Sequence, residues 1–366
     1  MPSTPPTPKQ SSTDSGSLSY EKAGVSIDNA DSAKKQMAET MATKDPRILH
    51  RPGAFASLFD ASFPGIKEPV LVMKTEEPGS KQKIAFANGR ASSIAYDMIH
   101  HLIDDIIVVG AQPVAVQDCI VCGKLQKDVV LELVAAINDA CRKNDCFLIG
   151  GETSEQPGVL EAGLYILSSS IVGVVEKAKI LDGRAIEKGD VVVAVPSNGL
   201  HTNGYSLVRA LMASHPGLEK ELLTNEFGER ETFLDAILKP HTCYHQAFKG
   251  MFSDNMGGRL HGIAHITGGG IAGNLNRILP ENCDARIERE KLRVLPLFQV
   301  IKALGNVPEG DMLRTFNCGI GMTIVCAPSA VDEIVRHLKG FGLEAYVIGS
   351  IVDGKGEVGY EGRVAW

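Results

Sequence analysis

The chain has 366 residues, too many for one small core and suited to two domains of ~100–200 residues each. It carries 37 basic and 44 acidic residues, net −7, which excludes a protein that grips nucleic-acid backbones through a basic stripe. Its longest weakly polar run, Leu164 to Val175, falls far short of the ~20 apolar residues of a membrane helix, so a soluble, cytoplasmic protein with no membrane partner is expected.

Residues 1–17 are mostly Pro, Ser and Thr with almost nothing to bury, the composition of a disordered tail. After it, strand-like and helix-like segments alternate. Val70–Met73 reads as a buried strand, followed by a charged loop over Lys74–Gln82. Segment 94–109 has helical spacing and places Asp97, His101, Asp104 and Asp105 along one side, among strongly apolar neighbours. Carboxylates on a mostly buried helix are costly unless a cation neutralises them, and Mg²⁺ accepts one or two carboxylates plus substrate phosphates. A solvated acidic face is the plain alternative. His100 and His101 are a poor zinc pair, because adjacent helical residues face different ways. Cys119 and Cys122 form a C-x-x-C, but their flanks read as a strand. The eight cysteines fit reduced, buried thiols. Lys127–Lys143 is an amphipathic helix ending in basic residues, and Ile166–Val175 a strand closing the first half. A turn at 180–184 and a strand at Val191–Val195 open the second half, which sets the boundary near residue 178, between segments 18–177 and 178–366.

Four glycine clusters stand beside polar or acidic residues: Ile149–Thr153, Ser197–Ser206, His265–Gly270 and Phe316–Gly321. Glycine lets backbone N–H groups approach an anion, and a following helix adds positive potential. Gly268, Gly269 and Gly270 before the helix-compatible 271–277 make a plausible phosphate cradle, with a tight turn as the bland alternative. Neither a Walker loop nor a Rossmann fingerprint is present.

Taken in order, these segments resemble the phosphoribosylformylglycinamidine cyclo-ligase (aminoimidazole ribonucleotide synthetase) family. The resemblance runs from Ser19 to about Val352, through Gly53–Leu58, Asp104–Pro113, Gly123–Leu125, Gly150–Gly158, Val172–Lys177, His201–Arg209, His265–Gly270 and Phe316–Met322. It implies an α/β (α+β) protein of two domains. The N-terminal sheet-and-helix domain dimerises through its sheets and binds ATP and metal; the C-terminal domain is α/β and sandwich-like. It also implies an ATP-dependent ligase of purine synthesis that closes the imidazole ring of formylglycinamidine ribonucleotide through an iminophosphate, using ATP and Mg²⁺ as a homodimer. On that resemblance Glu76, Asp97, Asp105 and Glu152 are the expected metal set, and Lys81 touches phosphate. His265, with Asp105, transfers a proton or steadies the phosphoryl group. Asn203, Thr267 and Gly268–Gly270, together with Gly150, Gly151 and Asn317, hold the ATP phosphates or the ribose 5′-phosphate.

The chain departs from the family pattern in three places. Thr75–Lys81 reads T-E-E-P-G-S-K where the family has T-D-G-V-G-T-K; Asp104 replaces the Asn of an N-D pair; Ala54 and Ala56 replace glycines of a G-G-F-G loop. All three surround the expected ATP–metal site. They keep open a superfamily enzyme acting on another substrate, or a nucleotide-binding scaffold of weakened activity.

Overall fold

A computed structural model describes residues 27–50, 53–252 and 254–366; the expected tail at 1–17 lies outside the described residues. The run at Val70–Met73 belongs to β1 (Pro69–Glu76), which continues three residues further than its apolar core. Its side chains alternate. Val70, Val72, Lys74 and Glu76 are half-buried, whereas Leu71 and Met73 are exposed on the other face, as in a sheet covered on one side. Two helices follow, α2 (Lys81–Ala87) and α3 (Ala91–Ile107), so Lys81 opens a helix instead of lying in a loop. In α3, Ile94, Ala95, Met98, Ile99, Leu102, Ile103, Ile106 and Ile107 recur at helical spacing and are fully buried. The helix stops before Gly110, whose φ of +80° reverses the chain at low steric cost.

Next come β2 (Gln112–Cys122), α4 (Lys127–Lys143), β3 (Phe147–Glu155) and β4 (Tyr165–Glu176). They form a four-stranded sheet of order β1-β4-β2-β3. Its one parallel pair, β2 with β3, is the pair that needs a long crossover, supplied by α4. Helices α3 and α4 pack together over one face, and α1 (Ile27–Met41) rests on α4. Cys119 and Cys122, three apart in β2, point to opposite faces and cannot pair; all eight cysteines are free.

The second half is built on β5 (Val191–Pro196), α5 (Tyr205–Ser214), the hairpin β6 (Leu222–Thr224) and β7 (Arg230–Thr232), α6 (Phe233–Ile237), α7 (His245–Phe248) and a distorted turn α8 (Asn255–Gly258). It continues with β8 (Leu260–His265), α9 (Gly270–Leu275), β9 (Cys283–Glu288), α10 (Pro296–Gly305), α11 (Glu309–Thr315), β10 (Ile320–Cys326), α12 (Val331–Lys339), β11 (Tyr346–Asp353) and β12 (Val358–Glu361). Six strands order as β12-β9-β11-β5-β10-β8, antiparallel except for β12 with β9. β8 and β10 are buried along their whole length, so neither shows the alternation of a half-exposed strand, and β8 buries His261 and His265 among its apolar residues. The fold is the mixed α/β class with two sheet-bearing halves that the resemblance implied. The loops at the ends of β5 and β8 meet the side of α3, and the polar cluster lies there.

Candidate active site

The four polar residues along α3 part company. Asp97 forms a fully buried ion pair with Lys81, at 2.7 Å. Lys81 Nζ also donates to the backbone oxygens of His201, at 3.1 Å, and Lys239, at 2.8 Å, so its three protons have three acceptors. Asp97 in turn accepts from the backbone N–H of His241 at 2.7 Å. Burial lowers the Lys81 pKa and raises that of Asp97 to about 6, against the mutual attraction that favours both charges. This corrects two expectations. Lys81 cannot reach a phosphate and Asp97 cannot ligate a metal while each is committed to the other; together they tie the first half to the second.

Asp105, eight residues on, stays partly open. Its Oδ1 accepts from His265 Nδ1 at 2.7 Å, and its Oδ2 meets Lys74 Nζ at 3.1 Å and His101 Nε2 at 3.6 Å. Lys74 also holds Glu76 at 2.7 Å, because residues two apart in β1 share a face. Burial pushes the Asp105 pKa up, but the His265 hydrogen bond with nearby His101 and Lys74 overrides it and holds the carboxyl well below its usual range. His101 Nδ1 contacts Thr202 Oγ1 at 2.9 Å. His265 Nε2 lies 3.2 Å from His241 Nε2, and His201 stacks on His241 with ring centroids 3.8 Å apart. Burial lowers the pKa of His101 to about 4 and those of His201 and His241 well below the ordinary value, so these imidazoles are neutral near pH 7.

Asp104, the extra acid of the altered pair, accepts from Tyr244 N at 2.9 Å and faces His241 Nε2 at 3.3 Å. Burial raises its pKa far above the usual carboxylate value. Burial thus works against the added negative charge expected beside the metal.

The glycine turns are mostly packing devices. Gly269 N–H donates to Arg314 O at 3.0 Å and Gly270 N–H to Thr267 O at 3.1 Å, so two of the three amides expected to cradle phosphate are already used. A Cβ on Gly270 would sit 1.8 Å from Leu313 O, which explains the glycine by close approach of α11. Thr267 Oγ1 bonds Asn274, whose amide pins the turn by donating to the oxygens of Thr267, Gly268 and Gly270. Asn317 is buried, with its amide spent on Gly199 O and its oxygen on Ser197 and Gly319 N. Gly150 and Gly151 make room for Ser57 and Asp118; a Cβ on Gly151 would lie 1.6 Å from Asp118 Oδ1. Thr267, Gly269, Gly270 and Asn317, expected to hold phosphate, thus have polar groups engaged within the protein. Asn203 and Gly268 remain, and a Cβ on Gly268 would lie 3.3 Å from Asn203 Oδ1.

Glu152 stands apart from the other expected metal ligands within one chain. Register aligns Glu76, Ser169, Asp118 and Gly151 in one row, whereas Glu152 aligns with Cys119 and therefore projects to the face away from the helices. Within one chain it does not join Glu76 and Asp105.

Sequence reasoning overlooked Lys74, Asp118, His241 and Asn274. Period-two alternation in β1 and β2 would have put Lys74 beside Glu76 and turned Asp118 inward. Asp118 is buried, its Oδ2 has no hydrogen-bond partner, and burial raises its pKa to about 7. His241 lies in irregular chain after α6, where no periodicity marks it.

Residues 61–175 match the family described as AIR synthase related protein, N-terminal domain, and residues 187–361 its C-terminal domain. A phosphoribosylformylglycinamidine cyclo-ligase of Carboxydothermus hydrogenoformans is 38% identical over 342 residues, 93% of this chain and 98% of that protein. Among solved structures, thiamine-monophosphate kinase of Stenotrophomonas maltophilia superposes with a TM-score of 0.64 at 17% identity, covering 92% of this chain and 96% of the other. The hydrogenase maturation protein HypE in complex with ATP gives 0.61 at 15%, covering 89% and 88%. The last two establish the fold; sequence identity over nearly the full length of both chains establishes that this chain belongs to the phosphoribosylformylglycinamidine cyclo-ligase family, ligases that form a carbon–nitrogen bond.

Proposed function

We propose that the protein converts formylglycinamidine ribonucleotide and ATP into aminoimidazole ribonucleotide, ADP and phosphate. The observation that carries this reading is the 2.7 Å contact between Asp105 and His265, which joins the acidic helix of the first half to the H-I-T-G-G-G segment of the second. The formyl amide oxygen is a poor leaving group. Transfer of the γ-phosphoryl group to it gives an iminophosphate and releases ADP. The amidine-side nitrogen then attacks the activated carbon, the carbon–oxygen bond breaks, phosphate leaves and the nitrogen gives up a proton. Both reacting centres of the second step belong to one molecule, so the protein mainly positions, neutralises charge and excludes water.

Glu76 and Asp105 fit Mg²⁺: two carboxylates already converge on one cation, the ammonium of Lys74, at 2.7 and 3.1 Å. They would hold the ion, which would offset charge on the transferring phosphoryl group. Lys74, 37% exposed, has room to swing from the acids towards phosphate. Asp105 accepts from His265 Nδ1, which leaves Nε2, 3.2 Å from His241 Nε2, to take up the proton released by the attacking nitrogen. Asn203 and the backbone of Gly268 are the polar groups left for a phosphate. ATP in a structural neighbour of this fold supports the nucleotide assignment.

The open face of the four-stranded sheet carries exposed Leu71, Met73 and Ile166, which supports a homodimer formed through residues 18–177, with 178–366 contributing the ribonucleotide side. The test is ADP release by the purified protein. Release that depends on formylglycinamidine ribonucleotide and yields the ring product is expected. Release without ring product would assign another substrate, and nucleotide binding without release would leave a scaffold.

A further inference from the structure

We infer that His201, His241 and His265 form a binding site for a divalent ion of the zinc and cobalt class, distinct from the magnesium position at Glu76 and Asp105. One ring nitrogen of each lies within 4.8 Å of the other two. The His241 Nε2–His265 Nε2 separation of 3.2 Å is close to the ~3.4 Å edge of a tetrahedron of nitrogens ~2.0–2.1 Å from zinc. The other nitrogen of His265 is held by Asp105 at 2.7 Å, the carboxylate–imidazole pairing that orients metal-bound histidines.

Two of these rings also lack hydrogen-bond partners. His201 is 1% exposed, and neither its Nδ1 nor its Nε2 has a hydrogen-bond partner; His241 Nδ1 is equally alone. A buried imidazole with both nitrogens orphaned calls for a missing partner. The donor set decides which kind: uncharged imidazole nitrogens suit zinc or cobalt, whereas magnesium takes oxygen ligands. A tautomer shift that moves the His241 proton to its unpartnered Nδ1 frees Nε2 for the ion. His201 presently stacks on His241 at an interplanar angle of 24°, so its ring must turn to aim at the shared point. No hydrogen bond of that ring resists the turn. Gly321 lets the His201 and Tyr244 rings come close to the backbone, since a Cβ there would lie 1.9 Å from Tyr244 Oη and 2.9 Å from His201 Cε1. Access runs from the edge where Lys74 and Asp105 are 37% and 18% exposed.

An ion on His265 Nε2 would occupy the atom proposed to take up the ring-closure proton, so loading and turnover exclude each other. Binding is read without ATP or ribonucleotide, so its result does not depend on the proposed reaction. The full-length protein, stripped with chelator and desalted, is titrated with Co²⁺ in excess Mg²⁺. Expected are one Co²⁺ per chain and the intense visible ligand-field bands of a four- or five-coordinate ion, displaced by Zn²⁺. Those bands are lost in His241→Ala and in His201→Ala, and kept in His215→Ala, which alters a separate apolar groove. Circular dichroism checks that each variant is folded, and His201→Asn replaces any that is not. Wild-type protein showing only the faint bands of hexaaqua Co²⁺ would overturn the proposal and leave the cavity to water. Bands that persist in both His201 and His241 variants would overturn it equally.

Discussion

Asp97 and Asp105 lie on one side of α3, roughly 12 Å apart along its axis, and meet opposite fates. Asp97 faces a buried lysine whose three protons all have acceptors, and it serves as a bolt between the two halves. Asp105 faces a histidine, a half-exposed lysine and a second carboxylate two residues along β1, so it keeps exchangeable partners and a route to solvent. The residue type and helical face are the same. What separates structure from chemistry is what the second half brings against each position.

The largest expected effect breaks the bolt. Lys81→Met leaves Asp97 buried without its counter-charge, and removing one partner of such a pair costs about 3–5 kcal/mol. Thermal unfolding should fall by many degrees, and Lys81→Met with Asp97→Leu should recover most of the loss. If Lys81→Met melts like the wild type but loses nucleotide affinity, the lysine is a phosphate ligand after all.

Next in size is Asp105→Asn. It weakens the hold on His265 Nδ1 and removes one charge from the Glu76–Asp105 pair, so turnover should drop by about a hundredfold or more, the scale of general acid–base catalysis. The melting temperature should fall modestly, because the lowered pKa of the carboxylate stabilises the fold at neutral pH, and turnover is compared where both proteins are folded. Near wild-type turnover would refute both its proton-holding and metal-holding roles.

Asp118→Asn tests a third aspartate, buried like Asp97 but unpaired like neither. Burial raises its pKa from 3.8 to about 7, so the folded chain holds this proton more tightly than the unfolded one. Below about pH 4 both states are protonated. Between there and 7 the unfolded state has lost the proton first, so the contribution of Asp118 to stability falls as pH rises. Asparagine removes that slope. The variant should gain a few kcal/mol over wild type at neutral pH and nothing near pH 4, read by urea unfolding across that interval. A gain that is equal at both pH values would show that the carboxylate is not the titrating group.

How far the sequence foretold this arrangement depended on periodicity. Lys127–Lys143 is α4 to the residue, and the helix expected at 94–109 is α3 shifted by two or three residues, because apolar side chains at 3.6-residue spacing are a strong local signal. The meeting of Asp105 with His265 was expected only through family resemblance, since 160 residues separate them. The pairing of Lys81 with Asp97 was not legible: nothing local distinguishes a lysine that opens a buried helix from one in a charged loop. The glycines misled for a related reason. A glycine that admits a neighbour's backbone, as at Gly270 beside Leu313, has the same sequence signature as one that admits a phosphate. Only the hydrogen bonds already made by Gly269 and Gly270 separate the two.

The smallest effect is expected at Glu152, and it probes the sheet itself. Register sets its side chain beside Cys119 and out of phase with Asp118 and Glu76, so Glu152→Gln should change turnover by no more than about twofold, the range of exposed substitutions. The same open face carries Leu71 and Met73, through which the second copy is proposed to pack. A loss at Glu152 as deep as that at Asp105 would therefore mean that assembly carries this carboxylate into a neighbouring metal site. Mixing Glu152→Gln and Asp105→Asn chains then separates the cases. Activity restored in the mixed dimers requires the two acids to work across the interface, and activity that merely averages between the parents confines each site to one chain.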